Sequence, residues 1–187
     1  MRKLVETTFV TLDGVIADTM PSSAPHASPE KWGAPYWDDE HAAYAHDLLF
    51  ASDALLLGRL TYEGFARSWP SRTGEFADRI NKMSKYVASR TLAEPLEWNA
   101  TLIEEDVAGE VARLKQQTGE NILKYGTGEL DHTLMQHNLI DEFHFWMFPV
   151  AVGSGQRLFD GIDTTHLKLA DTARFGSGIV VLTYTPE

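Results

Sequence analysis

Apolar and polar positions change period several times along this chain of 187 residues, and each change marks an element. Residues 3–11 alternate and are rich in Val, Thr and Phe, which predicts a strand. An Asp13-Gly14 turn signal follows inside a semi-apolar run ending at Ala17. Residues 38–51 start with acids and place Tyr44, Leu48 and Leu49 on one side, predicting a helix. Residues 53–57 form a short continuous apolar run that suits a strand buried on both faces. Gly58-Arg59-Leu60-Thr61-Tyr62-Glu63 then turns from that strand into a short helix. A further helical piece ends near Met83, residues 85–89 predict a strand closed by Ser89-Arg90-Thr91, and residues 101–104 predict another. Residues 107–117 are amphipathic and stop before Gly119, a C-terminal helix signal. Residues 121–125 read as a strand leading into Gly126-Thr127-Gly128-Glu129-Leu130 and a helix to about His137. Residues 142–152 alternate aromatic and aliphatic side chains, predicting a long strand broken at Pro149. Two final strand-like runs flank Phe175-Gly176-Ser177-Gly178, a hairpin signal.

Strand–helix units first and a hairpin last imply an α/β fold: a mostly parallel sheet covered by helices, with an antiparallel C-terminal edge. One domain over residues 1–187 accounts for the length. Residues 18–35 carry four prolines and no period, an insert that is either a lid or a plain loop. The apolar strand over residues 143–152 would leave an exposed edge unless covered, so a homodimer is expected. The absence of cysteine excludes a disulfide framework and a thiol nucleophile, and fits a cytoplasmic protein. A net charge of −11 with no basic run argues against nucleic acid and anionic membrane as partners. No stretch approaches the ~20 apolar residues of a membrane span. The histidine spacings, such as His41 with His46 and His132 with His137, miss the helical i, i+4 ligand pattern, so no metal is expected.

Chemistry is concentrated at three strand-to-turn junctions: Gly58-Arg59-Leu60-Thr61, Ser89-Arg90-Thr91 and Gly126 to Leu130. In open parallel sheets, ligands lie outside the carboxyl ends of the strands, where these junctions fall. Small residues ahead of a helix offer free N–H groups to a phosphate, and the arginine fork matches phosphate oxygens. Against that reading, turn glycines and surface arginines of the same kind occur with no ligand at all. Acidic residues stand out at Asp13 and at the start of the predicted helix (Asp38, Asp39, Glu40, with His41). Asp before Gly also serves turns alone, and acids at a helix start also serve the dipole alone. Trp32, Tyr36, Trp37 and Tyr44 either stack a flat heterocycle or pin the insert to the core.

Three stretches carry a resemblance: Val10-Thr11-Leu12-Asp13-Gly14-Val15-Ile16-Ala17; the Gly-Arg-x-Thr-Tyr-Glu core that begins at Gly58; and the run from the Gly126 turn through Leu139-Ile140-Asp141-Glu142-Phe143 and Pro149-Val150-Ala151-Val152-Gly153-Ser154-Gly155 to Leu158-Phe159. In order and spacing they resemble the dihydrofolate-reductase-like superfamily, in particular the reductase domain of riboflavin biosynthesis and its stand-alone bacterial relatives. The resemblance implies a three-layer α/β/α fold and NADPH along the carboxyl edge of the sheet. It implies that Gly58, Arg59 and Thr61 meet the adenosine end and its phosphates, and that Ser89 and Arg90 lie beside the 2′-phosphate. It places Gly126, Thr127, Gly128, Glu129 and Leu130 around the pyrophosphate, with Ala17 and the Asp13-Gly14 turn toward nicotinamide and substrate. Asp13, Asp39 and Glu40 are the expected catalytic carboxyls, and the expected substrate is a pterin or pyrimidine-like small molecule. A non-catalytic nucleotide- or pterin-binding dimer on the same fold is the alternative.

Overall fold

The computed structural model describes residues 1–17 and 32–187. Most of the residue 18–35 insert therefore lies outside the described residues, and with it the question of a lid. An eight-stranded sheet forms the centre: β1 (Leu4–Thr11), β3 (Ser52–Gly58), β4 (Ser84–Ala88), β5 (Ala100–Ile103), β6 (Asn121–Tyr125), β7 (Glu142–Phe148), β9 (Leu167–Arg174) and β10 (Val180–Pro186). They run in the order β5-β4-β3-β6-β1-β7-β10-β9. From β5 to β7 every pairing is parallel, and β7 with β10 and β10 with β9 are antiparallel. Two short strands, β2 (Val15–Ala17) and β8 (Gln156–Arg157), make a separate antiparallel ribbon that the sequence pattern did not announce.

The helices are α1 (Asp39–Phe50), α2 (Arg59–Ser68), α3 (Glu75–Lys82), α4 (Val107–Gln116) and α5 (Glu129–Gln136). Alternation along the strands sorts side chains to two faces. Leu49, Tyr62 and Ile80 of α1, α2 and α3 bury against Val5, Leu55, Leu57 and Leu123. Val111, Leu114 and Leu134 of α4 and α5 bury against Leu4, Val10, Ile122 and Phe143. A third cluster joins Trp32, Trp146, Phe148, Phe175, Ile179 and Val181 at the antiparallel end. The expected three layers and antiparallel edge are thus observed.

Two expectations about β7 need correction. It breaks at Pro149 as expected, since proline has no N–H to continue a ladder, but it ends at Phe148 and does not resume over residues 150–152. It is also no edge: β1 flanks it on one side and β10 on the other, so its apolar run is covered within the chain. The argument for a dimer from an exposed β7 therefore falls. The outer strands are β5 and β9, and β9 carries charged side chains, Lys168, Asp171 and Arg174, along its exposed length.

Candidate active site

Three junctions meet in one row at the carboxyl edge. β4 ends at Ala88 before Ser89 and Arg90, β3 runs through Gly58 into α2, and β6 ends at Tyr125 before the turn that caps α5 with Gly128. Because β4, β3 and β6 are consecutive neighbours, the three junctions are neighbours too. A Cβ placed on Gly126 would stand 3.9 Å from Thr61 Oγ1. Gly126 has φ +74, a conformation that favours glycine. At Gly58 an added Cβ would meet nothing within 4 Å, so the backbone there lies open to an approaching group.

The cationic side chains of the row are exposed. Arg59 pairs with Glu63 one turn along α2, at 3.2 Å. Arg90 lines a groove of about 630 Å³ together with Glu104, Glu105, Asp106, Val107 and Thr133. Arg90 thus shares this groove with three acidic residues. The Ser89 hydroxyl oxygen accepts from the N–H groups of Thr91 (3.2 Å) and Leu92 (3.1 Å), which fixes the turn behind Arg90. At the other end of the row Leu130 packs on the core while Glu129 is exposed.

Beneath the Gly126–Gly128 turn lies a buried charged cluster that sequence reading missed. Glu6 of β1 and Lys124 of β6 are register partners, and both are withdrawn from solvent, as is Asp131 of α5. Lys124 Nζ donates to Asp131 Oδ2 at 2.8 Å and to the Gly126 carbonyl, and stands 3.8 Å from Glu6 Oε2. Asp131 Oδ2 also accepts the Gly128 N–H at 2.7 Å. Thr127 Oγ1 donates to Glu6 Oε1 at 2.6 Å and lies 2.9 Å from Thr8 Oγ1. Each residue of the turn is therefore tied to one charged side chain below it. Burial works against the Lys124 ammonium, but Asp131 and Glu6 outweigh it and raise its pKa. Burial, reinforced by Asp131, pushes the Glu6 carboxyl well above the ordinary glutamate range. The signal available in the sequence was a charge at an interior position of each of two buried strands.

The expected carboxyls do not converge. Asp13 holds the β1–β2 turn: it accepts from Thr11 Oγ1 (2.6 Å), Gly153 N (2.7 Å) and Val152 N (3.2 Å). The Thr11 bond, followed by the Gly153 bond, lowers its pKa to about 2, so it is ionised at neutral pH. Asp39 is exposed in the first turn of α1, and Glu40 Oε2 accepts the Gly176 N–H at 2.5 Å. The helix start does bring in His41, whose N–H is capped by Asp38 at 2.8 Å. Its ring stacks on Trp37, with centroids 5.6 Å apart, and lies against Phe9 of β1 and Trp146 of β7. His41 Nε2 is buried and has no hydrogen-bond partner, and burial lowers the pKa of the ring. Of the four aromatics expected around the insert, Trp37 is the exposed one. Ala17 sits in the ribbon, pairing with Gln156, and Gln156 Nε2 lies 3.9 Å from where a Cβ on Gly128 would stand. The ribbon thus abuts the turn. Among the described residues no cluster of three or more His, Cys, Asp or Glu is arranged to hold a metal, and no helix is long and apolar enough to cross a membrane.

The sheet gathers three glycine- or serine-marked turns at one edge, and the chain belongs to the RibD C-terminal domain family, whose sequence model matches residues 2–181. The uncharacterized protein YwjB of Bacillus subtilis (strain 168) is 31% identical over 183 residues, covering 95% of each chain. A Thermotoga maritima diaminohydroxyphosphoribosylaminopyrimidine deaminase/5-amino-6-(5-phosphoribosylamino)uracil reductase shares the fold with a TM-score of 0.68 at 15% identity; all of this chain matches 57% of that one. A dihydrofolate reductase from Enterococcus faecalis, complexed with NADP(H), gives a TM-score of 0.60 at 16% identity, covering 99% of this chain and 96% of that one.

Proposed function

We propose that the protein is an NADPH-dependent reductase acting on a small flat heterocycle of the pterin or pyrimidine kind. The observation that carries this reading is the single row formed by Ser89–Arg90, Gly58–Thr61 and Gly126–Leu130 at the carboxyl edge. The likeness to reductases, one of them complexed with NADP(H), supports it. The residues present fit such a cofactor: open backbone at Gly58, a left-handed glycine at Gly126 and exposed arginines at 59 and 90. Arg90, with the Ser89 turn behind it, would hold the 2′-phosphate; Gly58, Arg59 and Thr61 the adenosine end; Gly126, Thr127, Gly128, Glu129 and Leu130 the pyrophosphate; and Ala17 would border the nicotinamide. NADPH supplies the hydride, and the chain supplies orientation and a proton.

Asp13 serves as a positioning residue, since its three bonds fix the turn that delivers Ala17. His41 is the group assigned to the substrate, because its buried Nε2 lacks the partner that a substrate atom would provide. As an acid it acts in its imidazolium form, so turnover should rise as pH falls through the region below the ordinary histidine pKa. His41→Phe keeps the aromatic packing and should lower turnover about 100-fold, with NADPH affinity unchanged. Wild-type turnover in that variant would remove His41 from the reaction.

A second reading, a binding module without catalysis, is favoured by one observation: Asp13 and Glu40 are engaged by backbone N–H groups, and Asp39 lies exposed at the start of α1. Calorimetric titration with NADPH and NADH, followed by pterins and ribosylamino-pyrimidines with NADPH oxidation as readout, separates the two. Selective NADPH binding with oxidation supports the reductase. Binding without oxidation supports the module, and failure to bind either nucleotide overturns the cofactor site.

A further inference from the structure

The cluster under the Gly126–Gly128 turn holds two carboxylates and one ammonium, all withdrawn from water. Two of its oxygens, Glu6 Oε2 and Asp131 Oδ1, have no hydrogen-bond partner. Two ionised carboxylates beside a single lysine would leave one negative charge uncompensated in a dry site, which is strongly disfavoured. A single proton placed between the two carboxyls answers both problems, giving one orphan oxygen a donor and making the cluster neutral. Glu6 is the member that holds it, because Asp131 already accepts from Lys124 and from the Gly128 N–H. The remaining neighbours contribute no charge: Thr8 shares the strand, Thr127 comes from the turn, and Phe143 is the β7 partner of Glu6. Val111, Leu114 and Leu134 of α4 and α5 belong to the apolar core that also holds Leu4, Val10 and Ile122 of β1 and β6.

We propose that Glu6 is a neutral carboxylic acid that positions Thr127 and makes phosphate binding at the turn depend on that proton. The dependence on phosphate rests on the cofactor reading above; the protonated acid does not. When Glu6 ionises, a full negative charge appears directly below a turn that is to receive a pyrophosphate, and the two repel. Cofactor binding therefore holds the proton on Glu6 more tightly, and alkaline pH weakens cofactor binding. Glu6 touches neither cofactor nor substrate, and it acts through Thr127.

The stability consequence has a definite sign. A carboxyl whose pKa is higher in the folded state binds more protons folded than unfolded, so stability declines as pH rises from the unfolded value toward the folded one. Glu6→Gln is neutral at every pH, nearly the same shape, and removes that decline.

The test uses the full chain, wild type and E6Q, between pH 5 and pH 10. Infrared difference spectroscopy should show the carbonyl stretch of a protonated carboxylic acid at pH 7 in the wild type and not in E6Q; a wild type without that band overturns the proposal. Chemical denaturation should show E6Q gaining stability relative to wild type as pH rises, and a pH-independent difference also overturns it. NADPH affinity should fall roughly tenfold toward alkaline pH in the wild type and stay level in E6Q; matching pH profiles overturn the coupling. If NADPH binds at no pH, the cofactor reading fails and the coupling fails with it, while the band and the denaturation profiles still decide the state of Glu6.

Discussion

The two ends of the carboxyl-edge row are built in opposite ways. Over β3 and β4, Arg59 and Arg90 are exposed, and Arg59 is held by an ion pair within its own helix. Over β6, the Gly126–Gly128 turn is tied down from beneath by Lys124, Glu6 and Asp131, none of which reaches solvent. Exposed charges hold a ligand through long side chains that reorganise, and salt screens them. A turn fixed by buried hydrogen bonds is organised before anything binds. On the proposed cofactor reading, the arginine end would choose between ligands that differ by one phosphate, and the glycine end would fix the geometry of what both ligands share.

The comparison can be broken most sharply at its rigid end. Lys124→Met leaves the buried Asp131 carboxylate without its counter-charge and should destabilise the protein by about 3 kcal/mol. That corresponds to a fall in melting temperature of roughly 6–12 °C for a chain of this size, measured by calorimetry. An unchanged melting temperature would mean that the cluster does not hold the turn. Next in size, Arg90→Ala should weaken NADPH roughly 10- to 100-fold, the range of a charge-assisted phosphate contact, while NADH affinity stays level. Equal losses for both nucleotides would remove Arg90 from the 2′-phosphate. The smallest effect is a gain: Glu104→Gln with Glu105→Gln relieves the acidic wall around Arg90. It should tighten NADPH a few-fold at low salt, with the difference fading as ionic strength rises. Neither arginine-end change should move the melting temperature by more than a degree or two.

Much of this architecture was legible in the residue pattern, because the strands buried on both faces are short, apolar and bounded by glycine or hydroxyl residues. The apolar run at residues 121–125 coincides with β6, and Gly58, Ser89 and Gly126 stand where strands end. The buried charges were not legible. Glu6 and Lys124 sit in segments whose other residues obey the expected period, and a single charge in such a run reads as a solvent-facing position. Only the pairing of β1 with β6, set by contacts more than a hundred residues apart, shows that the two face each other. The roles of Asp13 and Glu40 were hidden for a related reason, since their partners, Gly153 N and Gly176 N, lie on distant loops. His41 was visible as a residue beside the acids, but its burial against Phe9 and Trp146 depends on how α1 packs across two strands.

The central place of β1 bears on how the chain is made. Leu4 pairs with Ile122 and Val5 with Glu142, so β1 leaves the ribosome with no neighbour until about 120 further residues have followed. At 5–20 residues per second that interval is roughly 6–24 s. Through it, Leu4–Thr11 must wait unpaired, with its β-prone pattern available to other chains. Glu6, destined for the interior, stays charged and hydrated for that time. The same side chain that secures the finished turn thus guards the nascent strand against premature association.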